Sequence, residues 1–129
     1  MNPETGSVKM DQKTLVEFSE QDQVLIASLD TDAIGISGID AVSQVFREVI
    51  LQQRPQNLVI DFTRVRFLTS LTLGLLVDTW RRMKEYNGRL MICGINPQLM
   101  RVFRITHLDR IFEFSDDPAS AVRAIKNHT

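Results

Sequence analysis

Leu58–Leu76, LVIDFTRVRFLTSLTLGLL, is the stretch whose reading decides the fold. Its first part, with Asn57 ahead of it, is a short and nearly continuous apolar run to Phe62, the pattern of a strand covered on both faces. A turn carrying Arg64 and Arg66 follows, and then a Thr69-Ser70 pair ahead of a helical repeat. Leu73, Leu76, Trp80 and Met83 form one apolar stripe, with Asp78, Arg81, Arg82 and Glu85 outside it. That spacing predicts a helix from about Leu71 to Tyr86, ended by a left-handed stop at Asn87-Gly88. Unpaired N–H groups and partial positive charge collect at a helix N-terminus, so a hydroxyl there can cap the helix or carry a phosphate. Capping is structural and phosphorylation is a switch.

Working outward, the same alternation repeats. Residues 1–12 read as a disordered leader with few apolar residues, and 13–129 as one domain. Extended runs at Thr14–Phe18 and Gln23–Leu29 suit a hairpin turned at Ser19–Asp22. After the Asp30–Gly38 loop, Ile39, Val42, Val45, Phe46, Val49 and Ile50 recur at helical spacing. Ser37-Gly38-Ile39-Asp40 suggests a capping box at the start of that helix, and Pro55 stops it. Beyond the second helix come a strand at Arg89–Cys93 and a short helix, Gln98–Ile105, capped by Asn96-Pro97. A strand at Ile111–Phe114 follows, then a last helix opened by Asp117-Pro118 with Ala121, Val122 and Ile125 inward. The order β-β-α-β-α-β-α-β-α predicts an α/β domain: a mostly parallel sheet with an N-terminal hairpin and helices packed on it.

Composition removes several classes of function. Hydrophobic residues at 43% and charged residues at 24% describe a globular chain whose 129 residues can bury a core without staples. A net charge of −1 gives no bias toward nucleic acid or anionic lipid. Acids interrupt the central basic residues (Arg64, Arg66, Arg81, Arg82, Lys84, Arg89, Arg101, Arg104 and Arg110), so a solvated face explains them better than direct nucleic-acid binding. No run is long enough to insert in a membrane and none resembles a signal peptide, which makes the cytoplasm the expected compartment. The single cysteine, Cys93, lies in an apolar run and reads as a buried thiol. Cys93, His107 and His128 are too scattered for a zinc site, and His107 fits a helix C-terminus. The chain contains neither a Gly-rich phosphate loop nor a Ser-His-Asp arrangement, and Gly35-Ile36-Ser37-Gly38 is a flexible turn. Asp61, inside an apolar strand, is expected to be a hydrogen-bonded structural carboxylate. No catalytic residue, metal or cofactor is assigned.

From Leu15 to Ile125, and most strongly from Leu58 to Phe114, the chain resembles the STAS domain family. The resemblance rests on an apolar strand ending near Asp61, on Phe67-Leu68-Thr69-Ser70-Leu71-Thr72-Leu73-Gly74 opening a helix, and on the Gly88–Gly94 strand. The segment Ile105-Thr106-His107-Leu108-Asp109-Arg110-Ile111-Phe112 completes it. Relative to the family pattern, Thr69 replaces an Asp, Leu71 a second hydroxyl and Thr72 a Gly.

The resemblance implies a non-enzymatic, partner-switching anti-sigma-factor antagonist. Its partners would be an anti-sigma factor that is a serine kinase of the histidine-kinase-like ATPase fold, and a phosphatase. The implied phosphorylation site is Ser70, with Thr69 and Thr72 as alternatives. The implied partner surface includes Asp32, Ser37, Thr69, Ser70, Thr72 and Asn96. Two other readings stay open: a constitutive STAS adaptor without a phosphate cycle, and a small-ligand or nucleotide-binding α/β domain using the carboxyl ends of the strands.

Overall fold

A computed structural model describes residues 5–10, 13–30 and 38–127. Six strands form one sheet in sequential order: β1 (Thr5–Met10), β2 (Lys13–Gln21), β3 (Val24–Asp30), β4 (Asn57–Arg64), β5 (Arg89–Cys93) and β6 (Glu113–Ser115). β1 pairs antiparallel to β2 and β2 to β3, while β3 to β6 run parallel. Between the parallel strands lie α1 (Ile39–Gln53), α2 (Ser70–Lys84) and α3 (Pro97–Ile105), and α4 (Pro118–Asn127) closes the chain. The α/β class, the hairpin and the alternation are as the sequence predicts.

Strand order decides where the helices go. Because each crossover steps the same way across the sheet, crossovers of one hand place their helices on one face. Side chains of α1, α2 and α3 accordingly share one core with Leu58, Ile60, Phe62, Leu90 and Ile92. Residues alternating with these, Val24, Ile26, Val59, Met91 and Cys93, point the other way and meet Ala121, Val122 and Ile125 of α4. β4 and β5 are thus covered on both faces, which is why their sequences are almost unbroken apolar runs.

Three differences from the sequence reading have identifiable causes. Thr5–Met10, within the stretch read as a leader, form a strand along β2. Backbone pairing needs no apolar side chains, so a polar segment can add to an available edge. The hairpin turns at Asp22-Gln23 rather than Ser19–Asp22, with φ of 52° and 67°, the left-handed pair that suits a two-residue hairpin loop. β6 starts later than Ile111, because a 3-10 turn at Leu108–Arg110 takes the Ile111 and Phe112 N–H groups onto the Leu108 carbonyl, at 3.0 and 3.1 Å. Asp32 and Ser37 lie outside the described residues. Among the described residues no helix is long and apolar enough to cross a membrane.

Candidate functional site

β4 delivers the chain to the helix mouth through a fixed turn. Asp61 Oδ1 accepts from the Thr63 N–H at 3.0 Å and the Thr63 hydroxyl at 2.6 Å, which bends the strand end. The Ser28 hydroxyl donates to the other carboxylate oxygen at 3.5 Å and the Cys93 thiol to Oδ1 at 3.6 Å. Asp61 is therefore an acceptor hub with structural work, as its strand position predicts. Burial first, and then the Asp61 charge, push the Cys93 thiol far up, so it stays protonated and inert. Gly94, at φ +73°, lies against the same turn, and a Cβ there would come within 2.9 Å of the Thr63 nitrogen. Only glycine satisfies both conditions.

Past this turn, Val65 is buried and its N–H bonds the Phe62 carbonyl at 2.9 Å. Arg66 and Phe67 face outward, and Leu68 packs partly on the core. Thr69 is the N-cap of α2: its backbone is extended, and its hydroxyl accepts from the Thr72 N–H at 3.2 Å. The Thr69 and Thr72 hydroxyl oxygens also lie 3.2 Å apart. Thr72 has no solvent-exposed surface. This corrects the sequence reading at that position, because a hydroxyl sealed in the interior is neither a phosphate acceptor for an enzyme nor a contact for a partner. Ser70, the first helical residue, is exposed, and among the described residues no hydrogen bond holds its hydroxyl. Of the three hydroxyls, one caps the helix, one is buried and one is open to reaction.

Asn96 sits where the sequence places it. Its Oδ1 accepts from the Leu99 N–H at 2.8 Å and caps α3, with Pro97 in the first turn. Since α2 and α3 both begin after parallel strands, Thr69, Ser70 and Asn96 share the carboxyl-end edge of the sheet, the usual ligand and partner edge of such folds. Sequence reading missed Phe67 and Leu71, exposed by 54% and 57% on either side of Ser70. The same periodicity could have found Leu71, which falls off the buried stripe of α2, whereas Phe67 lies ahead of the helix and carries no such signal. Arg64 and Arg66 lie on this turn, and two other basic residues are paired elsewhere. Arg82 pairs with Asp78 at 3.0 Å, and Arg89 forks onto Glu113 at 2.9 and 2.7 Å.

A cleft of about 180 Å³ opens nearby between Ile95, Met100, Phe114, Ser115 and Asp116. That is below the range of about 300–1,000 Å³ found for small-molecule sites. Among the described residues no group of three His, Cys, Asp or Glu side chains is placed to hold a metal.

Comparison with known proteins adds four findings. The profile of the STAS domain family matches residues 16–121. An anti-sigma-B factor antagonist of Listeria monocytogenes is 31% identical over 98 residues, which cover 70% of this chain and 86% of that protein. Among solved structures, an anti-sigma-factor antagonist (STAS) domain protein from Planctomyces limnophilus superposes with a TM-score of 0.77 at 23% identity, covering 86% of this chain and 97% of that one. The phosphorylated form of the Bacillus cell fate determinant SpoIIAA superposes with a TM-score of 0.65 at 16% identity, covering 84% and 98%.

Proposed function

The chain belongs to the STAS domain family, and we propose that it acts there as an anti-sigma-factor antagonist, a binding module rather than a catalyst. In this reading an anti-sigma factor of the histidine-kinase-like ATPase fold docks on the helix mouth and phosphorylates Ser70, and a phosphatase resets it. The observation that carries the reading is the contrast among the three hydroxyls, of which Ser70 alone is exposed and unengaged, at a helix N-terminus. A phosphate there adds about −1.5 to −2 charges. The α2 terminus favours that charge, so the host fold survives it. A partner surface fitted to a neutral hydroxyl meets desolvation and repulsion instead, and a loss of about 3 kcal/mol weakens binding more than a hundredfold.

The test is to incubate the chain with ATPase-fold serine kinases of its own genome and ATP, and to locate any phosphate by mass spectrometry. One phosphate on Ser70, abolished in Ser70→Ala, is expected. Absence of modification together with tight, Ser70-independent binding would leave the constitutive adaptor in its place. Absence of both modification and binding would remove the antagonist role altogether.

A further inference from the structure

α1 and α2 run close together, whereas α2 and α3 do not approach as closely, and the side chains along that seam are apolar. On α2, Leu73, Val77, Trp80 and Lys84 recur at helical spacing and share one flank. The other flank carries Asp78 and Arg82, and beyond it Tyr86 donates to the Pro55 carbonyl behind α1, at 3.0 Å. Val77 and Trp80 therefore face α3. On α3, Met100 lines the cleft with Phe114 of β6 and marks the flank turned away from α2. Val102 and Ile105, one turn apart, fall on the flank toward α2. Val77, Trp80 and Val102 are half-buried and Ile105 is 70% exposed, so together they make the floor and lip of a groove.

The crests of this groove are positive. Arg81, Lys84 and Arg101 are exposed on them, and Lys84 Nζ lies 5.4 Å over the Trp80 ring. Arg81 and Arg101 have no side-chain partner among the described residues. α3 contains no carboxylate, and the one in α2, Asp78, is held by Arg82 on the far flank. Glu85 and Asp109 lie beyond the helix ends. We infer that the groove takes an acidic amphipathic helix of a partner protein: its apolar side chains fill the seam over Trp80 and Ile105, and its carboxylates meet Arg81, Lys84 and Arg101. Tryptophan and arginine are the side chains that dominate such contacts. An anionic bilayer also attracts apolar and basic groups together, but a recess between two helices accepts a ridge and not a plane. Trp80 lies about 15 Å along α2 from Ser70, so this surface is separate from the helix mouth and does not depend on the antagonist reading.

Trp80 is the one tryptophan of the chain, so its fluorescence reads the groove directly. The probe is a helical peptide without tryptophan, with leucine at alternating three- and four-residue spacing and glutamate on the remaining faces, titrated into the full chain. A saturable shift of Trp80 emission is expected, with the same affinity by calorimetry. The same peptide with lysine in place of glutamate should not bind. Ile105→Ser should weaken binding about tenfold, and Arg81→Glu combined with Arg101→Glu about thirtyfold. All three side chains are exposed, so these variants keep the fold, which circular dichroism checks. Leu51→Ser, 67% exposed but on α1, should bind as wild type does. No saturable change with the acidic peptide, equal binding of the two peptides, or wild-type affinity in the Ile105 and arginine variants would overturn the inference. A Trp80 shift produced by phosphatidylglycerol vesicles and not by the peptide would overturn it in favour of a lipid surface.

Discussion

Thr69, Ser70 and Thr72 lie within four positions and have three different fates, each set by helical geometry. Thr69 holds an otherwise unpaired N–H, so Thr69→Ala should destabilise the fold by about 1 kcal/mol in denaturant unfolding, and no loss would contradict the cap. The hydroxyl pair was legible in the sequence. Its division of labour was not, because capping and exposure depend on which residue begins the helix, a boundary that one hydrogen bond decides. Thr72 was placed on the surface for the same reason: its own hydrogen bond to the cap lets a polar side chain enter the core. Gly94 shows a residue whose role only the fold discloses. With φ at +73° and the Thr63 backbone in the way, Gly94→Ala should cost well above about 1 kcal/mol, and a variant as stable as wild type would contradict that.

Helices and strands were more legible than their faces. The apolar spacing of α2 suggested an inward stripe of Leu73, Leu76, Trp80 and Met83. The structure buries Thr72, Leu75, Leu76, Thr79 and Met83 and leaves Leu73 and Trp80 half-buried. Letters alone cannot show that Thr79 satisfies its hydroxyl on the Leu75 carbonyl, at 2.9 Å, and can therefore face the core. The first turn of α4 was read correctly. Asp117 accepts from the Ser120 N–H at 2.7 Å, and that bond above all lowers its pKa below the ordinary carboxylate value. A carboxyl group depressed on folding adds stability above its unfolded pKa and loses it as pH falls through the folded one. Thermal unfolding should therefore show wild type losing stability below about pH 4, with Asp117→Asn, which caps without titrating, flatter over that window. Parallel curves for the two proteins would contradict the assignment.

Across the whole molecule, the sequential strand order makes the site possible. α1, α2 and α3 cover one face and α4 the other, and because β4 and β5 run parallel the turns leading into α2 and α3 open at the same edge. The architecture was legible because strands buried on both faces alternate with amphipathic helices, a pattern carried by many residues at once. β1 was not legible, since it pairs through its backbone. The proposed switch requires this scaffold to keep its shape, because new charge at the edge must act on a docked partner and leave the host unchanged. The most direct test is the affinity of the Ser70-phosphorylated chain for the proposed ATPase-fold anti-sigma factor, compared with the unmodified chain and Ser70→Ala, with circular dichroism of each. A drop of more than about a hundredfold on phosphorylation, with an unchanged spectrum and near-normal binding by Ser70→Ala, is the predicted result. Equal affinity of the modified and unmodified chains, or loss of binding only through unfolding, would contradict it.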